Sequence, residues 1–260
     1  MILRRVIAHF KRQEWTAIAI DFLIVVLGVF VGIQVANWNA GRVTDERSAE
    51  FTSRLRADLA EEYWTYEYLA TYYDEVLANA DRTIAALDGG VPVSDEALLI
   101  GAYRATQLKI RTRRRATYDE LTSTGEIGLI RDSAMRETAM GLYTTNLFDR
   151  ITAQGLQSTY REAFRMAIPN EVQRALRKNC GDRPVERGDF KAIVGSLDYS
   201  CAIGLDETAI ADAAAVLRGD AKIVPLLRLR VAELETQVFD FRQNNKGIVE
   251  GLRKIVERKQ

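Results

Sequence analysis

Few residues of this 260-residue chain carry chemistry, and the first is an acid set in hydrocarbon. Asp21 stands in IAIDFLIVVLGVFVGIQVANW (18–38), a run that is otherwise almost wholly apolar. An ionised carboxyl inside a bilayer is costly, so it ordinarily has a partner or a task. Three uses are open to it. Asp21 can bond across a helix–helix contact, protonated or hydrogen-bonded, because burial raises a carboxyl pKa. It can titrate, carrying a proton or sodium ion as part of an ion-coupled accessory subunit. Or it is hydrated from the inner interface, about 9 Å inside the level of Trp15 at a helical rise of ~1.5 Å per residue.

Two further runs invite a chemical reading. Trp64, Tyr68 and Tyr72 make an aromatic stripe at helical spacing, either a ligand platform or a face packed against a third helix; packing is the expectation. KIRTRRRAT (109–117) suggests nucleic acid, yet Lys and Arg balance Asp and Glu at 36 each and no aromatic residues alternate with the cations. A solvated or carboxylate-paired helix face is expected there, with no nucleic-acid partner. One histidine, His9, and two cysteines cannot furnish a Cys/His metal cage, and no phosphate-binding or dinucleotide loop occurs. No catalytic residue, cofactor or metal site is expected, and the chain is read as non-enzymatic.

The elements that hold these residues follow from composition and periodicity. Only four prolines and long apolar-periodic stretches predict an all-α protein. Trp15 and Trp38 bracket a span of about 35 Å, the separation of the two aromatic belts of a bilayer. Arg4, Arg5, Lys11 and Arg12 precede it, whereas Arg42 and Arg47 follow beside Asp45 and Glu46. The excess of Lys and Arg on the short side predicts a basic cytoplasmic tail (1–14), a transmembrane helix (15–38) and an extracytoplasmic helical domain (39–260). In a Gram-negative bacterium that domain is periplasmic, on a single-pass anchor in the inner membrane. Ile2, Leu3, Val6, Ile7 and Phe10 would let the tail lie on the inner surface.

Within the span, positions seven and eleven apart fall within about 20° of one another, so Asp21, Gly28 and Gly32 share a stripe. The two glycines form a small-xxx-small pair suited to close approach of a second helix, from another copy or another membrane protein. Beyond the span the helix is expected to run on to Asp88-Gly89-Gly90, with Phe51, Leu55, Leu59, Tyr66, Leu69, Tyr73, Val76, Ala80 and Leu87 as a seam. The C-terminal segment carries Leu227, Val231, Leu234, Val238, Phe241, Asn245, Ile248, Leu252 and Ile255 at four–three spacing, with Asn245 as a register-setting polar residue. These two long helices are expected to pair antiparallel in an elongated bundle, which would bring Arg253, Lys254, Arg258 and Lys259 back toward lipid headgroups unless they are only a solvated face. Shorter helices are predicted near 95–111, 114–123, 131–150, 154–178 and 206–218.

Cys180 and Cys201 flank a segment rich in Gly, Pro and Asp. In an oxidising compartment a disulfide between them would contribute ~3 kcal/mol, chiefly through the unfolded chain; two unrelated buried thiols are the alternative.

The span together with RRATYDELTSTGEIGLIRDSAMRETAMGLY (114–143) resembles an uncharacterised family of bacterial single-span membrane proteins, known as a domain of unknown function. The resemblance rests on Asp21, Gly28, Gln34, Asn37, Trp38 and Asn39, then Tyr118, Glu120, Leu121, Ser123, Gly125 and Tyr143. The chain departs from that pattern in having Asp at 21, where the family has Glu, and Thr124 between Ser123 and Gly125. The resemblance implies a membrane anchor and a packing motif at Tyr118, Glu120, Leu121 and Gly125, and it implies no activity. Together these features lead to the expectation of a membrane-anchored helical bundle that self-associates or scaffolds a cell-envelope complex.

Overall fold

No proline occurs before Pro92, and α1 runs unbroken over Trp15–Leu87. The computed structural model describes residues 15–258 and is all-α, with no strand among them. The tail 1–14, with His9 and its four basic residues, lies outside the described residues, as does Lys259. The chain divides into two units after Thr52, and α1 contributes to both.

Helix α1 ends as expected. Gly89 takes φ +80°, a left-handed conformation that a side chain would strain. The Gly90 N–H then reaches back to the Ala85 carbonyl (2.9 Å) and the Gly89 N–H to Ala86 (3.4 Å), a Schellman closure.

The unit that follows Thr52 contains the last part of α1 and nine more α-helices among the described residues: α2 (Asp95–Ala105), α3 (Ala116–Ser123), α4 (Ser133–Thr144), α5 (Leu147–Leu156), α6 (Thr159–Ala167), α7 (Asn170–Asn179), α8 (Glu207–Gly219), α9 (Ile223–Phe239) and α10 (Lys246–Glu257). Ser94, Asp132, Ser158 and Asp206 each cap a helix start by accepting a backbone N–H three residues on. The helices depart from the sequence reading in two places. The helix expected over 154–178 is three pieces, because Ser158 starts α6 and Pro169 forces Ile168 out of the helical region (φ −85°, ψ 132°). The helix expected over 131–150 likewise breaks at Thr145, whose backbone is extended.

Leu98, Leu99 and Ala102 of α2, Tyr160 and Phe164 of α6, Val172 and Leu176 of α7, and Ala213, Ala214 and Leu217 of α8 form one buried core, joined by Ile223 and Leu227. The Tyr160 hydroxyl, wholly buried, donates to the Ala102 carbonyl at 2.9 Å, so the one polar atom that enters with the ring is satisfied. Helix α10 lies against α4 where side chains are smallest. A Cβ on Gly251 would stand 2.4 Å from the Thr138 hydroxyl, and one on Gly141 would stand 3.4 Å from Ile248.

The outer part of α1 and the C-terminal helices run antiparallel: Asp88 pairs with Arg228, Asp74 with Arg242, and Tyr63 bonds Arg253. Tyr66 stacks on Phe241 with ring centroids 4.6 Å apart. The C-terminal seam is not continuous, however. A π-helical turn, Asp240–Asn244, separates α9 from α10. Asn245, expected in a buried seam, is half-buried and closes that turn by donating from its amide to the Asp240 carbonyl (2.9 Å). A wide turn leaves carbonyls without their usual partners, and an amide side chain answers one of them. Past the turn Val249 is buried where Ile248 was expected, and before it Arg230 is buried where Val231 was expected.

Arg230 is 1 % exposed. One of its nitrogens donates to the Gln107 carbonyl at 3.3 Å, while Nε and Nη1 have no hydrogen-bond partner. Burial pushes the guanidinium below its usual pKa. Replacing such a charge with an apolar side chain of similar length removes a desolvation cost without leaving an orphaned partner charge. Arg230→Met is expected to raise unfolding free energy by about 1–3 kcal/mol, read in urea denaturation of the purified protein. A lower midpoint with an unchanged slope would show instead that the Gln107 contact outweighs the desolvation.

Candidate functional site

Two places gather the chemistry-bearing residues, one in each unit. In the first, every described residue from Ala19 to Arg47 is exposed. The apolar window there has a mean hydropathy of 2.4 and none of it is buried. One helix is therefore long and apolar enough to cross a membrane. Gly28 and Gly32 have open space within 4 Å of where a Cβ would stand, and Asp21 shares their stripe by helical geometry.

The second place is the aromatic stripe. Trp64, Tyr68 and Tyr72 are all but wholly buried, and adjacent rings stack at 5.3 and 6.0 Å. What covers them is not a helix. Helix α2 ends at Ala105, six residues before its expected end, and Gln107–Arg115 has no helical structure. Lys109 Nζ lies 4.9 Å from the Tyr72 ring and 5.6 Å from Tyr68. The Arg111 guanidinium lies 4.4 Å from Tyr68 and 5.1 Å from Trp64. Two residues of extended chain advance about 6.6 Å, and four residues of α-helix advance about 6 Å. A cation at every second position of one segment thus keeps step with an aromatic ring at every fourth position of the other. Each contact is a cation–π pair between a buried ring and a half-buried cation.

The third cation in that alternation, Arg113, lies over Tyr143 (5.4 Å) and Phe148 (5.0 Å) and faces Glu62 at 3.6 Å. It donates to the carbonyls of Leu142 (3.1 Å) and Thr145 (3.3 Å). Glu62 also accepts the Arg114 backbone N–H at 2.6 Å. Burial pushes the Glu62 carboxyl above its usual pKa, with the Arg114 N–H and the Arg113 charge pulling less strongly the other way. At the far end Lys109 pairs with Asp182 (2.8 Å), which accepts the Tyr72 hydroxyl (2.9 Å). Burial first, and the Asp182 charge second, hold that phenol well above its usual pKa. KIRTRRRAT is therefore carboxylate-paired in part, as at Arg114–Glu61 and Arg115–Asp119, but mostly on a non-helical strap rather than a helix face. The aromatic rings are occupied by the chain's own cations and offer no open platform.

Tyr118 and Leu121 are buried, Tyr118 and Tyr143 pack with ring centroids 4.8 Å apart, and Glu120 pairs with Arg54. Gly125 takes φ +72° at the turn after α3, where only glycine sits without strain. Ile130 is buried, whereas Ile127 and Leu129 are half-buried. The Cys180 and Cys201 sulfurs are bonded, with Cα atoms 5.4 Å apart. Arg104 ties the two ends together, donating to the carbonyls of Cys180 (3.4 Å) and Tyr199 (2.9 Å).

Among the described residues no group of His, Cys, Asp and Glu is placed to hold a metal ion. No protein-family model matches the chain, and neither a curated protein nor a solved structure is similar to it.

Proposed function

We propose that this protein is a membrane-anchored, non-enzymatic helical protein that self-associates, or joins another membrane protein, to scaffold a complex of the cell envelope. The observation that carries the reading is the apolar first part of α1, exposed at every described position from Ala19 to Trp38. Apolar surface on that scale is matched by lipid or by other helices. Asp21, Gly28 and Gly32 supply the face for a second helix. In this reading the anchor lies in a bacterial inner membrane with its N-terminus in the cytoplasm and residues 39–260 outside. The resemblance to single-span proteins with the same exit pattern, Gln34, Asn37, Trp38 and Asn39, favours the same placement.

The test is association of the full chain in bilayers, read by cross-linking or energy transfer between labelled copies. Gly28→Leu with Gly32→Leu is expected to weaken association by about tenfold or more, the equivalent of ~1.4 kcal/mol. Asp21→Asn, which keeps a hydrogen-bonding shape and cannot titrate, is expected to leave it nearly intact. Undiminished association of the leucine pair sinks the helix-contact reading. Loss of cellular function in Asp21→Asn with assembly preserved would point to ion coupling instead. A reporter fused after Gln260 that proves cytosolic, or release of the protein by alkaline carbonate, would overturn the anchor itself.

A further inference from the structure

Elsewhere in the second unit, arginine after arginine finds a carboxylate: Arg54 with Glu120, Arg114 with Glu61, Arg218 with Asp95, Arg228 with Asp88. Four others gather in one place without one. A cleft of about 580 Å³ is lined by Arg161 and Arg165 of α6 and by Arg174 and Arg177 of α7, with Asn170 and Gln173 beside them. None of the four guanidinium groups has an ion pair, although the whole chain carries equal numbers of acidic and basic residues. The one carboxylate in the wall, Asp182, already pairs with Lys109 and accepts the Tyr72 hydroxyl.

The local helices explain how the cations come together. Arg161 and Arg165 are one turn apart on α6, and Arg174 and Arg177 are a turn apart on α7. Pro169 ends the first helix and opens the second only two residues later. The Gln173 amide donates to the carbonyls of Ile168 (2.6 Å) and Arg165 (2.8 Å), which pins the corner between them. Arg161 is held by its bond to the Thr106 carbonyl (2.7 Å) and is half-buried, so it cannot swing away from its neighbours. Its guanidinium is pushed below the usual pKa by burial first and by the Arg165 charge next. Like charges gathered in a concave, partly desolvated place cost free energy when empty, and an anion reverses the sign.

We propose that this cleft binds a small polyanion, a solute carrying two or more phosphoryl or carboxylate groups. Guanidinium forks match both oxyanions in paired hydrogen bonds, and the amide groups of Asn170 and Gln173 add neutral polar contacts. The volume is that of a small-molecule site. The site lies wholly beyond Thr52 and does not depend on the span.

The test is calorimetric titration of the full-length protein in a neutral detergent with inorganic pyrophosphate and, separately, citrate, at constant ionic strength. At least one is expected to bind at a single saturable site. Arg165→Gln with Arg174→Gln is expected to weaken that binding by about tenfold or more, whereas Arg228→Gln, outside the cleft, leaves it unchanged. Both cleft arginines are exposed and their side chains bond nothing in the fold, so the thermal midpoint without ligand should not move. Pyrophosphate alone identifies a phosphoryl ligand, citrate alone a carboxylate ligand, and both a site read by charge. Absence of saturable binding by both, or equal binding by the cleft variant, overturns the proposal.

Discussion

Glu62→Ala is expected to lower the stability of the helical unit beyond Thr52 by about 3 kcal/mol at neutral pH. The carboxylate is 2 % exposed as a residue and supplies the acceptor for the Arg114 N–H. Its removal strands that donor, opens space, and leaves Arg113 buried with two carbonyls and two ring faces but no counter-charge. Urea denaturation checks the size of the loss. The pair itself is separated from its neighbours by Glu62→Met with Arg113→Met, which should recover at least half of the loss because both charges leave together. If the double variant is as weak as the single one, packing and the Arg114 bond explain the effect and the charge pair does not.

The pH dependence has a definite sign. Burial raises the Glu62 pKa in the folded chain, so the folded state holds that proton more tightly than the unfolded state does. Its contribution is full below the ordinary glutamate range and is lost as pH rises through the raised value. The lead of the wild type over Glu62→Ala is therefore widest in acid and narrows toward neutrality. A lead that grows steadily with pH would show that Arg113 outweighs burial.

Loss of the Cys180–Cys201 bridge is the second large effect. A cross-link between residues 21 apart restricts the unfolded chain, and its removal is expected to cost about 3 kcal/mol and to lower the thermal midpoint by roughly 6–12 °C. Cys180→Ala with Cys201→Ala tests this without burying a new hydroxyl, since Cys180 is fully enclosed. The oxidised protein should show the mass of a closed bridge before reduction. Coincident melting of the oxidised wild type and the alanine pair would remove the bridge from the stability of the fold. Arg104, which holds Cys180 and Tyr199 by their carbonyls, would then be what keeps the loop closed.

How the parts were legible differs between the two ends of the chain. The length of α1, its apolar first part and its stop at Gly89 follow from local chemistry: no proline interrupts it, and a left-handed glycine closes it. The all-α class follows from composition in the same way. Periodicity also identified most buried positions on the outer part of α1 and on α9 and α10, since one face of a helix is buried whatever covers it. It could not say what the cover was. Lys109, Arg111 and Arg113 read as a charged helix face because six of the nine residues in KIRTRRRAT are good helix formers. The visible signal was the alternation of cations at every second position, which matters only once the four-residue spacing of Trp64, Tyr68 and Tyr72 is placed beside it.

Asn245 shows the same boundary from the other side. Four–three spacing put it in a seam, but one wide turn at Asp240–Asn244 changed the phase, and its amide went to the nearest free carbonyl. The breaks at Thr145 and Ser158, and the arginine cleft formed where α6 and α7 meet, likewise join residues whose neighbours are set by chain direction after a turn. What the sequence determined by itself was every property that depends on residues a few positions apart: helix, amphipathic face, cap and apolar span. Only the tertiary structure decided which cation meets which ring, which arginine is buried and which four gather in one cleft. Those outcomes turn on distances between segments far apart in the chain, where small shifts of register decide which charge finds a partner.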